Sequence, residues 1–391
     1  MTVFYILFYL SLFILFYNYL GYGILLVLFT RIKRLFHSPD REQLDLVPPV
    51  TLLVAAYNEA DFIRQKIENC LALDYPEDKL TIIFITDGSS DGTPDIIREE
   101  PRVKLLHEPQ RSGKTAAINR AMKCVQTPFV IFCDANTLLN SQAVRNIVRH
   151  YEDPLTGGVA GEKRVIANGD ANAADTEGIY WKYESYLKKL DAELYSVVGA
   201  AGELFSIRTS LYQPVEENVI LDDFVISLRI NMKGYRIAYA PDAYAMEAPS
   251  FSINEEHKRK VRICAGGFQS IILLSDLLNI FKYPLLSFQY ISHRVLRWTL
   301  SPLSMPILLI SNFILVISGA GIFYSLMFAG QVLFYGMSII GYLQAQRNTK
   351  SGLFYIPFYF VFMNLAVFQG FGRFVSKSQS AVWDKAKRSI V

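Results

Sequence analysis

The run Thr81-Ile82-Ile83-Phe84-Ile85-Thr86-Asp87-Gly88-Ser89-Ser90-Asp91-Gly92-Thr93 is apolar until it stops at a carboxylate and a turn. A second run, Phe129-Val130-Ile131-Phe132-Cys133, stops at Asp134 and continues Ala135-Asn136. Short apolar segments bounded by turn residues read as strands buried on both faces. In open α/β sheets ligands bind off the carboxyl ends of the strands, so two strands that each end in an acid predict a nucleotide site there.

Outward from these strands, Pro48-Pro49 closes a polar linker and Val50 to Ala56 reads as a buried first strand. A helix is predicted from Glu59 to Leu73, with Phe62, Ile63, Ile67 and Leu71 at helical spacing. Further elements follow: a strand over Leu80 to Thr86, a short helix near Pro94 to Glu99, a strand at Val103 to Leu106 and a helix over Thr115 to Cys124. Strand and helix alternate with short joins, which predicts an α/β fold with a mostly parallel sheet. Beyond Gly157 the pattern changes to a strand near Gly158 to Gly161, a helix from about Ala174 to Leu194 and a strand entering Ala240.

Long uncharged segments flank this domain. Thr2 to Thr30 holds no charged residue, and as a helix it would measure roughly 43 Å, enough for a bilayer core of about 30 Å. Arg31, Lys33 and Arg34 follow it directly, so the segment reads as an uncleaved anchor with the residues after it in the cytoplasm. Thr299 to Gln346 is again free of charge and suits two crossings broken near Gly319-Ala320-Gly321; Leu353 to Gly372 suits a third. Phe268 to Phe288 is more amphipathic and reads as an interfacial helix. Three crossings would carry Arg373, Lys377, Lys385, Lys387 and Arg388 away from the cytoplasm, against the positive-inside rule, so either one segment re-enters or the interfacial stretch spans. The division expected is an anchor at 1–30, a linker at 31–47, a catalytic domain at 48–267, interfacial helices at 268–298, about three membrane helices at 299–372 and a basic tail at 373–391. Among 391 residues, 51% are hydrophobic and the net charge is +3, and basic clusters lie beside the apolar segments. A lipid bilayer is the expected partner and nucleic acid is not. Cys70, Cys124, Cys133 and Cys264 have no paired spacing, which argues against a disulfide framework or a zinc site.

Several residues read two ways. Asp87 is either a turn residue or a nucleotide ligand. Asp134-Ala135-Asn136 is either a helix cap or a pair of oxygen donors for Mg2+ or Mn2+ beside a diphosphate. Gln110-Arg111-Ser112-Gly113-Lys114-Thr115 lacks the first glycine of a phosphate loop, since Glu108 stands there, which excludes a Walker-type ATPase; Lys114 at a helix start still suits a phosphate. Asp222 and Asp223 open a predicted helix, where the helix dipole accounts for one acid more comfortably than for two, leaving a candidate general base. Glu255 to Arg262 is strongly charged; it suits a membrane surface, and an arginine there suits a departing diphosphate.

Taken in order, residues 48 to 270 resemble the family-2 glycosyltransferases of GT-A fold, in the membrane-bound branch that includes cellulose, hyaluronan and poly-N-acetylglucosamine synthases. The resemblance rests on Ala55-Ala56-Tyr57-Asn58-Glu59, Asp87-Gly88-Ser89-Ser90-Asp91, Gly113-Lys114-Thr115-Ala116-Ala117-Ile118-Asn119, Asp134-Ala135-Asn136 and Leu221-Asp222-Asp223. It implies that Tyr57 and Glu59 contact the uracil, Asp87 the uridine and Lys114 the nucleotide or its phosphates. It implies a metal at Asp134 and Asn136 (an amide where the family has an acid), and Asp223 as the base. Gly199-Ala200-Ala201-Gly202 resembles the acceptor loop and Tyr180-Trp181-Lys182-Tyr183-Glu184 the helix leading to it. The family's Gln-x-x-Arg-Trp appears as Arg259-Lys260-Val261-Arg262-Ile263: Arg262 keeps the arginine, and the glutamine and tryptophan are absent. The function implied is a membrane-embedded, metal-dependent inverting glycosyltransferase in the inner membrane. It would use a UDP-sugar, with UDP-N-acetylglucosamine favoured, to extend an exopolysaccharide. The alternatives are a transferase adding one sugar to a lipid-linked acceptor, or a non-catalytic subunit of a synthase complex. A partner membrane subunit or a second copy of the chain would fit either synthase reading.

Overall fold

A computed structural model describes residues 1–36, 47–165, 171–248, 252–347 and 352–380, with the backbone alone for 171–181. The chain's centre is an eight-stranded sheet of order β3-β2-β1-β4-β7-β6-β8-β5. The strands are β1 (Val50–Ala56), β2 (Leu80–Asp87), β3 (Lys104–Glu108), β4 (Phe129–Asp134), β5 (Thr137–Leu139), β6 (Thr156–Val165), β7 (Leu204–Arg208) and β8 (Arg236–Glu247). β1 pairs in parallel with β2 and β4, and β2 with β3. β7 runs antiparallel between β4 and β6, and β6 is parallel to β8.

Alternate residues of the central strands feed two separate cores. Val50, Leu52 and Val54 join Ile82, Phe84 and Ile131 on one face; Leu53, Ile83, Ile85, Val130 and Phe132 fill the other. Each fully buried side chain of this size is worth about 1.5–3 kcal/mol, and this two-sided burial explains the unbroken apolar runs. After β1 the chain builds outward through β2 and β3, then returns to lay β4 on the other flank of β1. That reversal opens a crevice off the carboxyl ends of β1, β2 and β4.

Four helices are long and apolar enough to cross a membrane: Thr2–Phe36, Leu300–Ile317, Ile322–Gln346 and Gly352–Val375. The turn between the second and third lies at Gly319 and Gly321, both at positive φ (71° and 121°), a conformation that glycine adopts without strain. The first helix does not stop at Thr30 but continues to Phe36, so 31–36 is helix rather than linker; 37–46 lie outside the described residues. Its first half packs Phe8 against Leu308, Leu315 and Tyr324. The second half packs Tyr22 and Leu26 against Leu187, Leu190 and Leu194 of the helix Ala171–Leu194.

The expected boundary at 267/268 falls inside one helix, Ile253–Leu273. One side of that helix is fastened to the segment before Asp222, where Gln269 accepts from the Ile220 N–H (3.0 Å) and donates to the Asn218 carbonyl (2.9 Å). Its other side packs Val261 and Cys264 against Ala366 and Val367, and Phe268 against Phe371 and Phe374. Gly352–Val375 thus runs alongside a helix rich in charge. Lys385, Lys387 and Arg388 of the basic tail lie outside the described residues.

Candidate active site

The crevice is open to solvent and encloses about 690 Å3 between its walls and its mouth. Tyr57 and Glu59 reach it from the end of β1, Asp87 from β2, Lys114 from the helix Lys114–Met122, and Asp134 and Asn136 from the end of β4. Six residues far apart in the chain therefore share one cleft, as the strand-end reading expects.

At the outer end the Arg111 guanidinium lies 3.6 Å above the Tyr57 ring and its Nη1 donates to the Tyr57 hydroxyl at 2.9 Å. Sequence reasoning gave Arg111 no role, because a lone arginine in a polar loop reads as solvated. Asp87 is only 5% exposed and its Oδ2 accepts from the backbone N–H groups of Ser112 (2.7 Å) and Gly113 (2.6 Å). It thereby ties β2 to the loop that delivers Lys114, while its Oδ1 lies 3.4 Å from Arg120. Such charge-assisted bonds are about twice as strong as neutral ones. We expect Asp87→Ala to cost about 2–3 kcal/mol, seen as a lower thermal midpoint of the detergent-solubilised protein, along with weaker nucleotide binding.

The Lys114 Nζ stands 2.5 Å from Asp134 Oδ1. Burial alone would lower its pKa, but Asp134, Asp222 and Asp223 together hold the ammonium well above the usual lysine range. A Cβ placed on Gly202 would lie 3.2 Å from both Lys114 Nζ and Asp223 Oδ2. Gly202 is thus the spacer between the Lys114–Asp134 pair and the second acid. Asp223, on the first turn of the helix Asp222–Met232, has its carboxyl pushed up to about 7 by burial and then by the like charge of Asp222, against the pull of Lys114. Asp222 is more deeply buried (7% exposed), and its Oδ2 has no hydrogen-bond partner among the described residues. Arg262 approaches from the helix Ile253–Leu273, its Nη2 3.4 Å from the Ile220 carbonyl. Burial lowers its pKa in spite of Asp222, Asp223 and Asp134 nearby.

The loop Gly199-Ala200-Ala201-Gly202 divides in two. Gly202 faces Lys114 and Asp223, whereas Gly199, at φ +82°, leaves no room for a side chain because its Cβ would meet the Phe224 ring at 2.1 Å. Ala200 is buried and donates its N–H to Ser227 Oγ at 3.0 Å. The side chains of Tyr180 and Trp181 lie outside the described residues. No tryptophan follows Arg262, but Trp298 sits edge-on to Phe224 at 5.6 Å and covers Gly267, a placement that spacing did not foretell. Behind Gly202, Glu203 pairs with Lys163 at 2.6 Å, and Lys163 also pairs with Glu247.

The Asp134 carboxylate and the Asn136 amide oxygen suit a hard divalent cation. Among the described residues no three His, Cys, Asp or Glu side chains gather into a ready cage. The donors fit an ion held by one carboxylate, one amide and the phosphates of a bound ligand, the usual arrangement for Mg2+ in phosphoryl sites.

A family model described as "Glycosyl transferase family 2" matches residues 51–215. A poly-beta-1,6-N-acetyl-D-glucosamine synthase of Staphylococcus aureus is 28% identical over 246 residues, covering 61% of this chain and 58% of that protein. The synthase of the same description from Staphylococcus epidermidis is 27% identical over 249 residues, covering 62% and 59%. The chain therefore aligns with less than two thirds of these relatives' length. Among solved structures, a mannosyltransferase from Pyrobaculum calidifontis, in complex with GDP-Man and Mn2+, matches with a TM-score of 0.71 at 22% identity, covering 95% of this chain and 99% of that one. That match extends the shared GT-A fold through the flanking helices.

Proposed function

We propose, from the match of residues 51–215 to the glycosyl transferase family 2 model, that the protein is a membrane-embedded inverting transferase. It moves a sugar from a nucleotide diphosphate donor, UDP-N-acetylglucosamine first among candidates, to a growing polysaccharide. The observation that carries this reading is the placement of Lys114 between Asp134 and Asp223. In this reading it joins a diphosphate end, at Asp134, to a general base, at Asp223, across one glycine.

In this reading Tyr57, Glu59 and Asp87 hold the nucleoside. Lys114 and Arg262 bring positive charge to the leaving diphosphate, where pre-set charge in a partly dry site acts most strongly. A divalent cation on Asp134 and Asn136 would add charge to the same phosphates. Asp223 takes the proton of the acceptor hydroxyl, and that oxygen forms the new bond at the anomeric carbon as the bond to the diphosphate breaks. One base suffices and no covalent intermediate arises. The acceptor hydroxyl comes to Asp223 beside Gly202, which carries no side chain there. The catalytic domain faces the cytoplasm, on the side of Arg31, Lys33 and Arg34. Gly352–Val375, sharing the course of its charged neighbour, stays at the membrane surface and leaves Arg373 and Lys377 on that same side.

The test is nucleotide release by the purified protein in lipid nanodiscs, across UDP-sugars and GDP-Man, with Mg2+ or Mn2+, followed by sizing of the product. Release with UDP-N-acetylglucosamine and a ladder of products is expected. A single addition would instead assign the chain to lipid-linked acceptors. UDP binding without turnover of any donor would overturn the catalytic reading.

A further inference from the structure

Lys66 lies in the middle of the helix Ala60–Leu71 and is 0% exposed. Among the described residues no carboxylate pairs with it. Its Nζ donates instead to the Thr137 carbonyl at 2.7 Å and to Cys133 Sγ at 3.0 Å. Taking an ammonium out of water costs several kcal/mol unless it is compensated, and an apolar side chain would fill the same space without that cost. Among the described residues both of the Lys66 hydrogen bonds go to one segment, which begins with Cys133 and carries Asp134 and Asn136.

That segment is closed on itself. Thr137 Oγ1 donates to the Asp134 carbonyl at 2.9 Å, and Cys133 Sγ lies 3.3 Å from the same hydroxyl. One turn along the helix from Lys66, Asn69 grips Leu139 twice, donating to its carbonyl and accepting from its N–H, both at 2.8 Å. Helical spacing of three puts Lys66 and Asn69 on one face. The face opposite the cleft therefore fastens the turn whose upper side presents Asp134 and Asn136, and the Lys66 charge lies within electrostatic reach of Asp134.

We propose that Lys66 is a positioning residue for the diphosphate turn, holding Asp134-Ala135-Asn136 from below in the geometry that receives a divalent cation together with the donor's phosphates. This rests on the transferase reading of the cleft and adds to it a residue that touches neither donor nor acceptor.

The experiment is calorimetric UDP binding to the full-length protein in nanodiscs, with and without Mn2+, for wild type and Lys66→Met. The expected result is an affinity about tenfold lower in Mn2+, with metal-free binding within about twofold and an unchanged thermal midpoint. A purely structural lysine would weaken both conditions alike, and that outcome, or no change in either, overturns the proposal. If the Met variant does not fold, Lys66→Gln keeps a donor for the Thr137 carbonyl without the charge and is read by the same criterion. Failure of the wild type to bind UDP in either condition would overturn the site reading itself, and this proposal with it.

Discussion

Asp223→Asn is expected to reduce sugar transfer by about 10²- to 10⁴-fold, the usual contribution of a general base, while UDP affinity changes less than about threefold. The amide keeps the shape of the side chain and cannot accept the proton. Because the carboxyl is pushed up to about 7, only a fraction of the enzyme holds the base form in mildly acidic buffer. The wild-type rate at low donor concentration should therefore climb with pH and level off above about 7. Burial, the larger cause, is untouched by Asp222→Asn, but the like charge is removed. That variant should move the inflection to lower pH, and an unmoved inflection would show that Asp223 is not the titrating base. Single-turnover transfer measured from pH 5.5 to 9 distinguishes these outcomes.

Asp134→Ala is expected to lower kcat/KM by at least about 10²-fold, on the scale of losing one preorganised charged group at a reacting diphosphate. Its effect on stability should be small. The Lys114–Asp134 pair keeps 24% and 26% of its side-chain surface exposed, and partly solvated pairs contribute on the order of 1 kcal/mol or less. The variant also releases Lys114 to Asp223, which lowers the base's pKa and should shift the residual activity toward lower pH. The checks are initial-rate UDP release at saturating Mg2+ or Mn2+ and a melting curve. A large drop in melting temperature with retained turnover would reassign Asp134 to scaffolding.

How far the sequence could be read follows from how each segment is buried. β1, β2 and β4 were legible because both of their faces are covered, so apolar residues run without interruption up to Tyr57, Asp87 and Asp134. Lys114, Asp134 and Asp223 stand at segment ends, where turn chemistry announces them. β7 was not legible, since Leu204–Arg208 is short and takes its strand identity from β4 and β6 on either side. Lys66 gave no signal either: one lysine in an amphipathic helix reads as a solvated face, and its burial depends on a strand end almost seventy residues away. The break at residue 268 was misplaced because hydropathy changes there, whereas the helix continues and keeps one side on the segment before Asp222 through Gln269.

The first helix carries one π-helical turn, Tyr17–Gly21, midway along its length. From Thr2 to Phe36 it is continuous, and its later half is riveted to Ala171–Leu194 at successive levels. Tyr183 donates to the Tyr19 carbonyl at 2.7 Å, Tyr22 bonds Asp191, and Lys33 reaches the Glu193 and Leu194 carbonyls at 2.6 and 3.0 Å. If that helix spans the bilayer, as its length and composition allow, a mast fixed in this way would set the working height of the domain above it. In the proposed reading an acceptor must present its hydroxyl at that one altitude, so that the membrane itself would be the gauge by which substrates are sorted.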